Sequence, residues 1–191
     1  MWAPCFDQPD LRATLDLTVT APADWCVIAN SKPVSEPTKT DDGRLVHRFE
    51  ETPKISTYLF AMVAGPFEKF TDDYDNGRIP LGFYCRKSLV KYLQQEKDEL
   101  FLLTKQGLRF YEEFFDCKYP FSKYDQVFCP EYNQGAMENV GCVTYTEVYI
   151  FKDKPTIAQR VTRADTLLHE MAHMWFGNLV SPKWWNGLWL N

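Results

Sequence analysis

Two histidines four residues apart, His169 and His173, enclose a glutamate, Glu170, in the order H-E-x-x-H. Residues four apart on a helix lie on the same side, so both imidazole rings can approach one metal ion. Imidazole nitrogens are common zinc ligands, and a carboxylate beside the first ligand can act as a general base. The pattern predicts a zinc hydrolase with His169 and His173 as metal ligands and Glu170 as the catalytic base.

A second short segment, residues 135–139, has the sequence Gly-Ala-Met-Glu-Asn and precedes the histidines by about thirty residues. Its glutamate, Glu138, offers a carboxylate, and Gly135 and Ala136 are small enough for close approach of another chain. Taken alone, the segment is compatible with an ordinary glycine-containing turn beside a strand, because short motifs often match by chance. Beside a zinc motif, we interpret it as the substrate-binding part of the same site.

We interpret the other candidate ligands as structural residues that do not bind the metal. The third histidine, His47, lies in a predicted strand far upstream, and the spacing of Glu131 and Glu147 matches no zinc pattern. Several aromatic residues could be mistaken for a ligand cage, but we expect them to pack in the core beneath the metal helix. They are Trp175, Phe176, Trp184, Trp185 and Trp189.

Alternating apolar and polar residues over 11–20 predict a half-buried strand at the start of the chain. Further strands are predicted over 25–29, 44–50 and 57–63, with prolines and an Asp-Asp-Gly turn between them. Because helical periodicity begins only near residue 86, we expect the first part to form an antiparallel β unit. We place the domain boundary between residues 83 and 84.

The second part of the chain mixes helices and strands, so the predicted fold class is α+β. A helix is expected from a cap at Ser88 to about residue 115. A second helix, over 156–176, carries both histidines, and its core-facing stripe is predicted to include Ile157 and Val161. Strands are expected over 126–129 and 142–151.

With both motifs in view, the sequence resembles the zinc aminopeptidase N family of gluzincin metallopeptidases, whose members carry G-x-M-E-N and H-E-x-x-H-x(18)-E. Residues 135–139 match the first motif, and residues 169–173 match the start of the second. The resemblance implies a saddle-like antiparallel β domain over 1–83 and part of a thermolysin-like catalytic domain over 84–191. Supporting matches lie at residues 5–10, 123–125 and 175–180.

The resemblance implies one Zn²⁺ per complete catalytic domain, held by His169, His173 and a glutamate. Residues 174–191 supply the eighteen spacer positions, so the third ligand would follow Asn191 and lie outside this sequence. We therefore expect a piece truncated at both ends, which binds zinc weakly and has little or no activity by itself.

The resemblance also implies that the substrates are peptides with a free N-terminus. Glu138 would pair with the cationic α-amino group, where an internal peptide bond offers only a neutral amide. Backbone groups near Gly135 would bond the substrate in the manner of an added strand, and Gln134 would line the pocket for the first side chain. The predicted substrate-binding residues are Gln134, Gly135, Ala136, Met137, Glu138 and Asn139.

Composition bears on partners and compartment. A net charge of −5 gives no basic footprint for nucleic acid, and the longest apolar run is too short to span a bilayer. The six cysteines form no C-x-x-C pair, which favours reduced thiols, and residues 1–5 do not resemble a signal peptide. These features favour a cytoplasmic protein that has no membrane segment in this chain.

Two alternative functions stay open from the sequence. A catalytically silent paralogue could keep the peptide-binding segment and bind peptides without dependence on metal. A metal-dependent endopeptidase or epoxide hydrolase could use the same scaffold. Blocking the α-amino group of the substrate would separate an aminopeptidase from an endopeptidase, because only the former requires a free amine.

Overall fold

The computed structural model describes residues 4–191, so the interpretation that residues 1–5 lack a signal peptide lies largely outside the described residues. Within that range the chain forms short strands first, and then two long helices that alternate with strands. The strands are β1 (Arg12–Ala13), β2 (Thr18–Ala21), β3 (Cys26–Ala29), β4 (Thr38–Lys39), β5 (Leu45–Arg48), β6 (Ile55–Ser56), β7 (Met62–Gly65), β8 (Phe67–Tyr74), β9 (Ile79–Arg86), β10 (Tyr124–Cys129), β11 (Ala136–Met137) and β12 (Cys142–Thr146). The helices are α1 (Val90–Phe114) and α2 (Ile157–Ala172).

The N-terminal unit, β1 to β7, consists of small antiparallel sheets that pair β1 with β6, β2 with β5 and β4, and β3 with β7. The prediction of one continuous strand over 11–20 is wrong, because β1 and β2 are two separate strands. Between them, the N–H of Leu15 donates to the side-chain hydroxyl of Thr52 at 2.8 Å. A side chain thus replaces a backbone acceptor and interrupts the ladder.

The strand expected over 57–63 is wrong over most of its length, because only Met62 and Val63 lie in a strand, β7. Thr57–Leu59 forms a 3₁₀ turn, and the chain resumes an extended course only at β7. The buried amide of Asn30 bonds the chain where this turn ends, at the carbonyl of Leu59 and the N–H of Ala61. These bonds satisfy backbone groups that a strand neighbour would otherwise pair.

The main sheet has five strands in the order β11-β12-β10-β9-β8. β9, β10 and β12 run parallel to one another, while β8 and β11 are antiparallel to their neighbours. The central strands are almost entirely buried, as expected of parallel strands covered on both faces. β9 crosses the position between residues 83 and 84, where the division into two domains stays a prediction.

The first long helix begins differently from the expectation. Ser88 does not cap α1, because it lies inside a 3₁₀ turn, Lys87–Leu89, that leads directly into the helix. α2 starts with a capping box, in which Thr156 and Gln159 each bond the other's backbone N–H. This cap fixes the start of the helix that carries the histidines.

The core-facing stripe of α2 differs from the prediction in its N-terminal half. Ile157 and Val161 are 83% and 61% exposed, whereas Arg163 is fully buried. The Arg163 guanidinium pairs with Glu96 of α1 at 2.7 Å. A charged residue therefore lies on the buried side of this half of the helix, where the prediction had placed apolar residues.

The strand expected over 142–151 ends early, at Thr146, and a 3₁₀ turn, Glu147–Tyr149, follows. The Tyr149 carbonyl accepts a hydrogen bond from Arg163 at 3.2 Å. This contact takes the place of a ladder bond and draws the chain towards α2. The shorter strand predicted over 126–129 is confirmed within β10.

The aromatic residues after the histidines do not form the expected core cluster. Trp175 is buried against Tyr111, Phe115 and Tyr119 of the main core, but its four companions are substantially exposed. The exposed residues are Phe176, Trp184, Trp185 and Trp189. The α+β fold class is confirmed, with an antiparallel β unit before a mixed sheet and its two helices.

Candidate active site

The two histidines lie at the C-terminal end of α2, where the rings of His169 and His173 face each other. The ring centroids are 4.7 Å apart and the planes are nearly perpendicular. The two Nε2 atoms lie 3.1 Å apart, so their lone pairs are directed at the same small volume. This convergence follows from the four-residue spacing on one helix.

The second nitrogen of His173 is held by the turn that follows α2. Its Nδ1 lies 3.2 Å from the carbonyl oxygen of Phe176 and 3.1 Å from Oδ1 of Asn191. Both partners are acceptors, so Nδ1 carries the proton and Nε2 keeps a free lone pair. Histidines that bind metals usually have their other nitrogen fixed in this way.

Glu170 lies between the histidines in sequence and is 6% exposed. Among the described residues, its Oε2 atom is buried and has no hydrogen-bond partner. Burial raises the pKa of Glu170 to about 7, and the negative charge of Glu138 adds to the shift. A buried carboxylate oxygen without a donor is costly, and a cation or a water in front of it would remove that cost.

Residues from two separate motifs meet at this point. Ligand atoms of Glu138, Glu170 and His173 all lie within 4.8 Å of one another, and all three side chains are buried. Two imidazole nitrogens and nearby carboxylates are the donor set that zinc prefers in hydrolases. The residues present therefore fit a divalent metal ion.

The segment of residues 135–139 forms the edge of the main sheet through β11. The Gly135 carbonyl accepts from the N–H of Thr146 at 3.0 Å, while Ala136 stands opposite Tyr145. In an antiparallel ladder, hydrogen-bonded pairs alternate with non-hydrogen-bonded pairs. The N–H and C=O of Ala136 therefore point away from β12, towards an edge that no strand of residues 4–191 covers.

The other members of the predicted substrate-binding set have different surroundings. Met137 packs against the main core, and the Asn139 amide donates to the Thr144 hydroxyl at 3.1 Å. Gln134 is exposed just before β11. The structure thus places Ala136 and Glu138 at the site, directs Met137 and Asn139 inward, and leaves the role of Gln134 a prediction.

Two further residues lie near Glu138 and were missed in the sequence. Asn178, in the turn after α2, donates from its side-chain amide to the Glu138 carbonyl at 2.8 Å. Burial and the negative charge of Glu138 raise the pKa of Tyr58, from the N-terminal unit, to about 12. Asn178 stands within one of the supporting matches, which was a usable signal, whereas nothing in the sequence pointed to Tyr58.

The three residues that we interpreted as structural, His47, Glu131 and Glu147, are not part of this cluster. His47 is half-buried in β5, opposite Val19. Glu147 forms an ion pair with Arg86 at 2.6 Å, and Glu131 is exposed in a turn with a φ of 50°.

Two parts of this chain match domains of known peptidases. Residues 1–59 match the Peptidase M1 N-terminal domain, and residues 101–191 match the Peptidase family M1 domain. The chain belongs to peptidase family M1. The first match lies in the N-terminal β unit, and the second covers much of the main sheet together with α2.

Several M1 relatives align along almost the whole chain. Aminopeptidase N of Streptomyces lividans is 50% identical over 188 residues, which are 97% of this chain and 21% of the relative. Leucyl aminopeptidase of Saccharolobus solfataricus is 37% identical, over 98% of this chain and 23% of that protein. Aminopeptidase N of Mus musculus is 36% identical, over 98% and 20%. The chain thus spans about a fifth of the length of these relatives.

Neither of the two helices described within residues 4–191 combines the length and the apolar character that crossing a bilayer requires.

Proposed function

We propose that this chain carries the metal and amine-binding part of a zinc-dependent aminopeptidase, which hydrolyses the N-terminal peptide bond of peptides. The observation that supports the proposal best is the meeting of His173, Glu170 and Glu138 within 4.8 Å beside an open strand edge. The three M1 relatives described above are all named as aminopeptidases, which supports the same proposal.

His169 and His173 would hold the Zn²⁺ ion through their Nε2 atoms. When bound, the ion would supply Lewis-acid chemistry that polarises a carbonyl oxygen and lowers the pKa of water from about 15.7 towards 7. Catalytic zinc sites normally use three protein ligands. The family spacing assigns the third to a glutamate outside this sequence, so we propose that the 191-residue chain binds zinc weakly.

Glu170 would act as the general base and then as the general acid. Its carboxylate accepts a proton from the water that attacks the scissile carbonyl, and it returns that proton to the nitrogen of the leaving peptide. Its burial keeps bulk water away from the proton that it holds. Substituting it by glutamine keeps the size of the side chain and removes the basic oxygen.

Glu138 would recognise the substrate's α-ammonium group, which is largely protonated at neutral pH because its pKa is about 7.7–8.0. An internal peptide bond would present a neutral amide to the same carboxylate. A buried charge left without its partner costs about 3–5 kcal/mol. This penalty would restrict cleavage to the first residue of a peptide.

The open edge of β11 would align the substrate. The N–H and C=O of Ala136 are available to pair with the backbone of an extended peptide, which adds as a short strand. The two-residue length of β11 limits this pairing to the beginning of the peptide. Glu138 then follows directly, which places the amine-binding carboxylate at the end of the paired segment.

The test uses the complete encoded protein, meaning this chain with whatever its coding sequence adds on either side. We expect it to contain zinc and to cleave aminoacyl p-nitroanilides, to lose cleavage after chelation, and to spare Nα-acetylated substrates. Glu170→Gln should retain zinc and lose about 10²–10⁴-fold in kcat. Peptide binding that persists without metal, with no cleavage, would instead identify a silent peptide-binding protein.

A further inference from the structure

The chain turns back sharply after α2, and Gly177 makes this turn possible. The φ angle of Gly177 is 123°, in the region where a residue with a Cβ atom is strained. The turn brings the backbone N–H of Asn178 to the carbonyl oxygen of His173, to which it donates at 2.9 Å. The position of Asn178 is therefore fixed relative to one of the proposed metal ligands.

The side chain of Asn178 reaches the other half of the site. It is 1% exposed, and its Nδ2 atom donates to the backbone carbonyl of Glu138 at 2.8 Å. Its Oδ1 atom is buried and has no hydrogen-bond partner within residues 4–191. An unpaired buried acceptor lowers stability, so stability alone does not account for an asparagine at this position.

The two carbonyl groups at residues 140 and 141 are held by other parts of the chain. The Val140 carbonyl accepts from the Asn30 amide at 2.8 Å, and the Gly141 carbonyl accepts from the Lys123 ammonium group. Asn30 belongs to the N-terminal unit, and Lys123 directly precedes β10. These bonds fix the chain beyond Glu138 to the rest of the fold, whereas the bond from Asn178 fixes Glu138 to the end of α2.

The two hydrogen bonds of Asn178 thus form a bridge from His173 to Glu138, whose ligand atoms lie within 4.8 Å of each other. In a peptide, one carbon atom separates the α-amino nitrogen from the first carbonyl group. A substrate can therefore engage an amine-binding carboxylate and a metal ion together only at one spacing of the two. A misplacement of about 1 Å can cost on the order of 10²-fold in rate.

We propose that Asn178 is a positioning residue, which sets the spacing between the metal ligand His173 and the amine-binding Glu138. This inference rests on the aminopeptidase function proposed above. The spacing restricts simultaneous contact with both groups to the first residue of a peptide.

The test compares Asn178→Leu with Thr52→Val in the complete encoded protein. Each variant removes a buried hydrogen-bonding side-chain group and roughly keeps the size of the side chain. Thr52 is the matched control, because its hydroxyl accepts from the N–H of Leu15 at 2.8 Å within the N-terminal unit. Asn178→Leu should lower kcat/KM for aminoacyl p-nitroanilides by about 10- to 100-fold with zinc content unchanged, and Thr52→Val should leave both within about twofold.

A calorimetric binding measurement isolates the spacing from turnover. Leucine hydroxamate carries an α-amine and a metal-binding group, whereas 4-methylpentanehydroxamate lacks only the amine. The wild type should bind the first about 10- to 100-fold more tightly, because its amine pairs with a carboxylate while the hydroxamate is bound. Asn178→Leu should reduce this ratio about tenfold, and Thr52→Val should not change it.

The outcomes separate this inference from the proposed function. A high wild-type ratio that is unchanged in Asn178→Leu would overturn the role of Asn178 alone. A wild-type ratio near one would overturn amine recognition by Glu138, and the proposed function with it. Asn178→Ala is the second variant if leucine does not fit, and a loss of folding in both would show that Asn178 is structural and overturn its positioning role.

Discussion

At the scale of single residues, the Nε2 atoms of His169 and His173 lie 3.1 Å apart, so we expect the folded chain to bind zinc better than the unfolded chain. A ligand that binds only the folded state raises the free energy of unfolding, by about 2.7 kcal/mol at one hundred times its Kd. We expect Zn²⁺ to stabilise the 191-residue chain against urea, and His173→Ala to abolish that increment. His47→Ala is the control, and an equal loss with it would contradict the assignment.

The carboxylate of Glu138 allows a second test at this scale. Glu138→Gln keeps the shape of the side chain but removes the charge that would pair with an α-ammonium group. We expect kcat/KM of the complete protein for aminoacyl p-nitroanilides to fall about 30- to 100-fold, with zinc content unchanged. Glu131→Gln, an exposed change in a nearby turn, should have no effect. Similar losses in both variants would rule out a specific role for Glu138.

At the scale of elements, a buried ion pair holds the metal helix against α1. Arg163 pairs with Glu96 at 2.7 Å and stacks on the Phe151 ring at 4.3 Å. Arg163→Ala leaves the Glu96 charge half-enclosed, and we expect a loss of about 3–5 kcal/mol in urea unfolding. Arg160→Ala, one turn earlier on the same helix, removes a more exposed pair with Glu99 and a long contact with Glu96 at 3.7 Å, and it should cost less than about 1 kcal/mol. Equal costs would contradict the buried pair's importance.

The C-terminal part of α1 is anchored by Glu112, whose side chain is buried. Burial alone would raise the pKa of Glu112, but hydrogen bonds from Tyr119 N–H and Arg78, among others, lower it below the ordinary value of 4.5. A lowered pKa in the folded state means stability that is present above pH 4.5 and lost as pH falls through the folded-state value.

Glu112→Gln should therefore cost about 2 kcal/mol at pH 7 and progressively less below pH 4.5, as measured by urea unfolding at several pH values. Glu113→Gln is the matched control, since Glu113 is exposed and pairs only with exposed Arg109 among its salt bridges in the described chain. A cost for Glu112→Gln that stays constant from pH 7 to pH 3 would contradict the charge-based account.

Elements were predictable from the sequence where local patterns decide them. The capped start of α2 and the buried strand near Val127 follow from side chains within a few residues. The buried face of α2 could not be predicted in this way, because the buried Arg163 depends on its ion pair with Glu96, which is distant in the sequence. The end of the strand near Thr146 depends on the same arginine.

At the scale of the whole molecule, the N-terminal unit and the main sheet are joined by specific polar contacts. Asn30 bonds Val140, and Arg12 donates to the Leu179 carbonyl at 3.0 Å and the Ser181 hydroxyl at 2.7 Å. Such contacts lie between residues more than one hundred positions apart. The four-residue spacing of His169 and His173 predicted that their rings would converge, but no local pattern predicted that Asn30 would bond Val140.

The Asn30 side chain allows a test of these contacts between the N-terminal unit and the main sheet. Asn30→Ala leaves three buried backbone groups without their partner, and we expect a loss of about 3 kcal/mol in urea unfolding. The exposed Asn133→Ala should change stability by less than about 0.5 kcal/mol. If Asn30→Ala were equally mild, the two units would be held together by other means.

The two-residue length of β11 bears on solubility. An uncovered strand edge can template pairing with other copies of a protein and so start aggregation. A peptidase that captures extended chains needs such an edge, yet Ala136 alone presents its backbone groups outward. A ladder of one residue is too short to nucleate a cross-β assembly, so we expect the edge that we propose for peptide binding not to recruit neighbouring molecules.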